Sequence, residues 1–93
     1  MNRVLTMSLE EALLRALYEL PATAHGCFDA ALRERPDATE PEVRQLLADL
    51  QEGRCVTLSV RAESVRYRLT TAGSERLATL VELREGAVEA VRA

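Results

Sequence analysis

The chain has 93 residues, of which 47% are apolar, 29% charged and 3% aromatic. A chain of this length supports one hydrophobic core, so we predict a single domain over residues 1–93. The apolar share excludes a disordered chain, and no apolar run approaches the roughly 18 residues of a membrane helix. No signal peptide is recognisable, so we expect a cytoplasmic protein with no membrane partner.

The charge is distributed unevenly along the chain. All twelve cationic residues are arginines and fifteen residues are acidic, which gives a formal net charge of −3. Residues 1–53 hold five arginines and ten acidic residues, residues 54–68 hold four and one, and residues 69–93 hold three and four. The whole chain is therefore not a strongly basic nucleic-acid binder, but residues 54–68 carry a local excess of positive charge.

A first helix is predicted from about Leu9 to Leu20. Ser8 and Glu11 form an S-x-x-E capping box, in which each side chain can satisfy a free backbone N–H group. Pro21 ends the helix, because the residue before a proline is excluded from the helical region. Spacings of three and four residues indicate the buried face, which comprises Leu9, Ala12, Leu13, Ala16, Leu17 and Leu20.

Two further helices follow. The second is predicted over Ala24–Arg35, with Thr23 as N-cap and with Phe28, Ala31 and Leu32 buried beside a flanking Cys27. The third is predicted over Glu40–Glu52, where Thr39 and Glu42 make another capping box and Gly53 ends the helix. Its buried residues are predicted to be Val43, Leu46, Leu47 and Leu50.

The apolar spacing then changes to two residues, which is typical of strands. Two such runs, separated by a tip at about Arg61–Ser64, predict an antiparallel hairpin. The hairpin should pack on the helices, because an isolated hairpin is unstable in water. Its apolar residues are Val56, Leu58, Val60, Val65, Tyr67 and Leu69. A last helix is predicted from Thr70 or Thr71, and Gly86 favours a bend or an end within it.

This order of elements predicts a mainly α (α+β) fold, a winged helix-turn-helix. Helices two and three form the helix-turn-helix, the hairpin forms the wing, and the last helix follows. We place the winged-helix core at residues 8–70 and the C-terminal helix at residues 71–93.

The residues that end the wing carry a resemblance to a known family. The run Tyr67–Leu77 is similar to the Y-x-L-T-x-x-G-x-x-x-L run of PadR-type and MarR-type winged-helix regulators. Ala24–Phe28 resembles the H-G-Y stretch of PadR-like proteins, which makes PadR the favoured subfamily. The resemblance covers roughly residues 9–85. It implies a dimeric transcriptional regulator that binds promoter or operator DNA.

The third helix departs from the PadR pattern. Its stretch Pro41–Leu47 lacks the tyrosine that PadR proteins usually carry there. The signature that follows, L-x-x-x-G-L-V, is altered over Leu50–Val56, and the helix holds four acidic residues against one arginine. These differences bear on DNA binding more than on the fold.

Six residues are candidates for DNA contact. In the third helix these are Thr39, Arg44 and Gln45, since arginine and glutamine make paired hydrogen bonds to base edges. In the wing they are Arg61, Arg66 and Arg68, of which the last two lie on one strand face and could bind phosphates. Alternatively, both groups are ordinary solvated surfaces, with Glu63 as a local partner for a wing arginine.

The last helix has apolar residues on more than one face, which favours pairing with a second copy of the chain. The candidate dimerisation residues are Leu77, Leu80, Val81, Leu83, Val88 and Val91. Alternatively, the end of this helix frays and its first turns only cover the core. Only about 23 residues follow the wing, which allows one dimerising helix. A rival function is a protein-interaction module whose acidic helices bind a protein partner.

No catalytic, metal or cofactor site is predicted. The sequence contains no nucleophile elbow, phosphate-binding loop or zinc-protease motif, so we expect no enzyme. His25, Cys27 and Cys55 could form a three-ligand zinc cluster only with atypical spacing, and a local role for His25 is favoured. A Cys27–Cys55 redox switch is a further hypothesis that carries little weight.

Overall fold

The chain is described by a computed structural model covering residues 7–92, with side chains through residue 86. The elements are α1 (Leu9–Glu19), α2 (Ala24–Glu34), α3 (Glu40–Glu52), β1 (Val56–Arg61), β2 (Ser64–Leu69) and α4 (Thr71–Arg92). The predicted winged-helix order is confirmed. Met1–Thr6 lie outside the described residues. No helix in the described range is long and apolar enough to cross a membrane.

The core lies between α1, α2 and α3. The start of β1 and the first turns of α4 close it. Its buried apolar residues are Leu13, Leu14, Leu17, Cys27, Ala31, Val43, Leu47, Leu50, Val56 and Leu77. Leu14 was missed by the spacing argument, because the buried face of α1 is wider than one stripe. Cys27 is central in the core, whereas Phe28 and Leu32 are only half-buried. The small residues Cys27 and Ala31 allow α2 to pack closely against α1.

Leu20 departs from its predicted place in the core. It takes an extended backbone conformation (φ −159°, ψ 133°) rather than a helical one, because Pro21 follows it. The change of backbone direction turns its side chain away from the buried face of α1. As a result, 66% of Leu20 is exposed.

Both predicted capping boxes begin as expected, but only one is complete. At α3, Thr39 Oγ1 accepts from the Glu42 amide at 3.4 Å, and the Thr39 amide donates to Glu42 Oε1 at 2.9 Å. At α1, Ser8 Oγ accepts from the Glu11 amide at 3.1 Å. The Glu11 side chain does not return to Ser8, since Arg84 holds its carboxylate.

Two arginine–glutamate pairs join α1 to α4. Arg84 donates three hydrogen bonds of 2.9 to 3.2 Å to Glu11, and Arg76 donates two of 2.9 and 3.1 Å to Glu10. These hydrogen bonds, made to adjacent residues of α1, raise the pKa of each arginine. α4 continues through Gly86 to Arg92, so the predicted end at Gly86 is wrong, and a bend there stays a prediction. The two pairs fix the direction in which this long helix leaves the core.

The wing is an antiparallel pair whose register runs from Val56 opposite Leu69 to Arg61 opposite Ser64. The tip is a two-residue turn, and both its residues, Ala62 and Glu63, have positive φ angles of 46° and 65°. A turn of this geometry ordinarily uses Asn-Gly or Asp-Gly. Because the sequence has neither dipeptide here, it indicates the position of the tip but not its exact length.

Two contacts hold the base of the wing. The Ala22 amide donates to the Tyr67 carbonyl at 3.1 Å, and the Tyr67 amide donates to the Ala22 carbonyl at 2.7 Å. This bridge attaches β2 to the connection between α1 and α2. On the other side, Thr70 caps α4 by accepting from the Gly73 amide at 3.0 Å and donates to the Arg54 carbonyl at 2.6 Å.

Gly53 ends α3 as predicted, but it is not the left-handed residue of the helix end. Gly53 is the C-cap with φ −79°, and the left-handed residue is Arg54, with φ 64°. The Cys55 amide donates to the Leu50 carbonyl at 2.9 Å and the Arg54 amide to the Gln51 carbonyl at 3.0 Å. These bonds form a Schellman motif in which arginine stands where glycine is usual.

Candidate nucleic-acid interface

The polar face of the wing gathers three arginines. The register pairs Thr57 with Arg68, Ser59 with Arg66 and Arg61 with Ser64, so each arginine lies opposite a hydroxyl residue. Directly opposed residues have β-carbons about 5 Å apart, and Arg66 and Arg68 are about 7 Å apart along the strand. Three positive charges and three hydroxyls thus share one face of the hairpin.

These arginines have no carboxylate partner in the described part of the chain. Arg61, Arg66 and Arg68 are exposed, and none of them is in an ion pair. The local pair with Glu63 that the sequence allowed does not form within this range. Their guanidinium groups are therefore open to anions from solution.

A cleft of about 740 Å³ opens beside this face. One wall is the wing, and the other is formed by Leu20 and Pro21 of the α1–α2 connection. The wing residues that line it are Ser59, Arg61, Ala62, Ser64, Arg66 and Arg68. All three candidate arginines thus lie around one space. Leu20 was not among the candidate site residues, because the spacing argument had assigned it to the core.

Arg44 and Gln45 of α3 and its N-cap Thr39 are exposed, but each is hydrogen-bonded to a residue of the same helix. Arg44 Nη2 lies 3.1 Å from Glu40 Oε2, and Gln45 Nε2 donates to Asp49 Oδ1 at 3.0 Å. Thr39 accepts from the Glu42 amide and donates to its carboxylate at 2.9 Å. On the exposed face of α3, Arg44 and Gln45, which were predicted to contact DNA bases, are thus bonded to the carboxylates of Glu40 and Asp49.

The apolar face of the wing is only partly covered. Val56 is buried and Tyr67 and Leu69 are half-buried, but Leu58, Val65 and Val60 are 41%, 46% and 69% exposed. The prediction that this whole face packs on the helices is therefore wrong for its outer half. The core ends at the base of the wing, and the tip extends beyond it.

The candidate dimerisation residues of α4 lie in different surroundings. Leu77 is buried in the core of this chain and therefore cannot contribute to a dimer surface, contrary to the prediction. Leu80 and Val81 are half-buried against the core, whereas Leu83 is 64% exposed. Val88 and Val91 lie outside the residues whose side chains are described.

The histidine and the two cysteines have local surroundings. His25 Nε2 lies 3.4 Å from Asp29 Oδ2, one turn along α2. Burial raises the pKa of the Cys27 thiol to about 11, so this thiol stays protonated and is a poor nucleophile at neutral pH. Cys55 is half-buried. Within residues 7–86, no group of three or more potential ligand side chains could hold a metal ion.

Two solved structures are similar to this chain. MepR, a transcription regulator of the Staphylococcus aureus multidrug efflux pump MepA, has a TM-score of 0.71 and 19% sequence identity over 92% of this chain. A single-residue mutant of Lactococcus lactis ZitR has a TM-score of 0.67 and 18% identity over 99% of this chain. These matches establish the winged-helix fold.

The chain spans slightly less than two thirds of the length of either structure, 63% of MepR and 62% of ZitR. No known protein-family profile matches the sequence. No curated protein matches it either. MepR is described as a transcription regulator, which is a non-enzymatic class.

Proposed function

We propose that this chain is a non-enzymatic, DNA-binding transcriptional regulator of the PadR-like winged-helix type, acting as a homodimer on promoter or operator DNA. One observation carries the proposal. Arg61, Arg66 and Arg68 lie on one exposed face of the wing and have no carboxylate partner in the described residues. Phosphate oxygens are strong partners for such groups, since arginine binds them through paired hydrogen bonds.

The wing and α3 would contribute differently to DNA binding. The wing arginines contact the backbone, which fixes the position of the protein without reading the sequence. Base reading by Arg44 and Gln45 requires that both release their partners, Glu40 and Asp49. That exchange costs part of the binding energy, and the carboxylates of α3 repel phosphates. We therefore expect modest affinity that depends mainly on the wing.

Dimerisation would use the outer face of α4. Leu83 is exposed on this helix, and the arginine–glutamate pairs at Glu10 and Glu11 hold the helix against α1. Two copies joined along α4 would carry two wings and two α3 helices, as adjacent DNA half-sites require. Gel filtration with light scattering tests this directly, and we expect a dimer that Leu83→Glu converts to a monomer.

The decisive experiment is a binding titration with duplex DNA covering the promoter beside the gene, at two or more salt concentrations. The wild-type chain should bind at low salt and lose affinity as salt rises. Arg66→Ala should reduce the slope of log K against log salt by about 0.9 per protomer, or about 1.8 in a dimer. Arg15→Ala removes an exposed arginine of α1, far from the wing in sequence, and should leave the slope unchanged. Absence of binding at low salt would contradict the proposal.

A protein-interaction module is the second candidate, and the composition of α3 favours it. The only arginine of this helix is paired with Glu40, while Glu42, Asp49 and Glu52 are exposed. Such a surface fits a basic partner better than a phosphate backbone. The double variant Glu42→Gln, Asp49→Asn separates the two functions, because it should strengthen DNA binding but weaken binding to a basic protein partner.

A further inference from the structure

The cleft beside the wing combines charged and apolar walls. Arg61, Arg66 and Arg68 line one side, and Leu20 and Pro21 line the other. Leu20 is a large apolar residue with 66% of its surface exposed, next to arginines that have no partner in the described chain. Binding to a DNA backbone does not explain the exposed Leu20, because phosphates and sugars provide no apolar surface for it to contact.

The backbone sets the distance between the two walls. The paired hydrogen bonds between Ala22 and Tyr67, 3.1 and 2.7 Å long, tie the α1–α2 connection to β2. Pro21 gives Leu20 its extended conformation, and Leu20 lines this cleft at its boundary with the surface of α1. The space is therefore formed before any ligand arrives, and its volume of about 740 Å³ lies within the roughly 300–1,000 Å³ of small-molecule sites.

The charges select the class of ligand. Three arginines within one cleft exceed what a single carboxylate can neutralise, and Ser59 and Ser64 add hydroxyl donors to the same lining. A chain of phosphate groups matches this arrangement, because each guanidinium can bind phosphate oxygens through two hydrogen bonds. The exposed Leu20 and the half-buried Pro21 would contact an apolar or aromatic body attached to those phosphates.

We propose that this cleft binds a small organic polyphosphate, with its phosphate groups on Arg61, Arg66 and Arg68 and its organic body on Leu20 and Pro21. The proposal rests on the proposed function in one respect, namely that the same arginines contact DNA. Ligand and DNA then exclude one another, and the polyphosphate acts as an effector that releases the protein from DNA.

The test compares three probes, ATP, inorganic tripolyphosphate and adenosine, by calorimetry on the full chain at constant ionic strength. ATP should bind more tightly than tripolyphosphate, and adenosine should not bind measurably. Arg66→Gln with Arg68→Gln should weaken ATP binding by about a hundredfold, roughly tenfold for each charge-assisted contact. Arg15→Gln, which removes an arginine outside the cleft, should leave it unchanged.

Leu20→Ser separates a built site from simple anion attraction. This variant should lower the affinity for ATP about fivefold, as the loss of apolar contact predicts, and leave tripolyphosphate binding unchanged. Because Leu20 is mostly exposed, its replacement should not unfold the chain. Equal affinities for ATP and tripolyphosphate, unaffected by Leu20→Ser, would overturn the proposal.

Two independent measurements distinguish failure of this proposal from failure of the DNA-binding proposal. If the chain binds DNA but not ATP, the effector site is wrong and the regulator function stands. If it binds ATP with the expected Leu20 dependence but does not bind DNA, the cleft is a ligand site and DNA binding is wrong. Where both hold, ATP should raise the apparent Kd for DNA, and the Arg66, Arg68 double variant should lose both activities.

Discussion

The carboxylate of Glu11 accepts three hydrogen bonds from Arg84, although the two residues are 73 positions apart in the sequence. Only 2% of the Glu11 side chain is exposed, against 26% of the Arg84 side chain. The pair therefore places a nearly buried negative charge beneath a partly exposed positive one. It makes one hydrogen bond more than the Arg76–Glu10 pair, the second polar link between α1 and α4 in the described residues.

Removal of Arg84 should lower the free energy of unfolding by more than the loss of its hydrogen bonds alone, because it also leaves a buried charge unpaired. Arg84→Met leaves the Glu11 carboxylate buried without a partner, and we expect a loss of about 2–3 kcal/mol in urea unfolding. The double variant Glu11→Leu, Arg84→Met should recover most of this loss, since apolar residues replace both charges. Arg76→Met is the matched control. Its partner Glu10 is more exposed, so the loss should stay below about 1 kcal/mol.

Gly73 and Gly86 should respond in opposite ways to alanine. A β-carbon at Gly73 would collide with the carbonyl oxygen of Cys55 and with the side chain of Leu69, whereas nothing lies within 4 Å of one at Gly86. Gly73→Ala should therefore cost at least about 2 kcal/mol of unfolding free energy. Gly86→Ala should add about 1 kcal/mol by favouring the helix. A Gly73→Ala protein as stable as the wild type would contradict this packing.

The wing turn should tolerate, and benefit from, residues that favour positive φ. Glu63 has φ 65° and Ala62 has φ 46°, conformations that cost a non-glycine residue about 1 kcal/mol or more. Glu63→Gly should raise the free energy of unfolding by about that amount, and Ala62→Asn should add to it. Thr57→Gly, within the extended part of β1, is the control and should lower stability. The midpoint of urea unfolding reports each change.

The Cys27 thiol predicts a loss of stability at high pH. Its pKa is about 11 in the folded chain because of burial, above that of an exposed thiol, so the folded state holds this proton more tightly than the unfolded state. The unfolded state ionises first as pH rises above about 9, which favours unfolding. Stability should therefore decline between about pH 9 and pH 11. In Cys27→Ala, whose overall stability should be lower, that part of the pH dependence should disappear.

Local patterns sufficed to predict the order of the elements and the N-caps of the first three helices. Ser8, Thr23 and Thr39 all cap helices as their positions indicated. Alternation of apolar residues located both strands, and their register places a two-residue turn inside the tip predicted at Arg61–Ser64. Each of these features depends on residues that are close in sequence, where backbone chemistry decides the outcome.

The errors come from interactions between distant parts of the chain. Glu11 has the spacing of a capping-box residue, but Arg84 offers its buried carboxylate a stronger partner. Leu20 follows the helical spacing of α1, yet Pro21 changes its backbone and exposes it. Only one wall of the candidate site could be predicted from the sequence, because the other wall depends on contacts between distant segments. Charge placed the wing arginines correctly at the surface, while the opposite wall of their cleft comes from another segment of the chain.

The anchor of the wing limits how its length can vary. Tyr67 is fixed to Ala22, and the turn at Ala62 and Glu63 lies about 13 Å beyond that point along the strand. Side chains alternate between the two faces, so one extra residue inserted between Tyr67 and Arg66, with one opposite it in β1, would move Arg66 to the face that Val65 now occupies. Two extra residues would move the turn outward by about 7 Å and keep the arginines together. A wing that lengthens between this anchor and Arg66 should thus retain its arginine face only if it gains an even number of residues per strand.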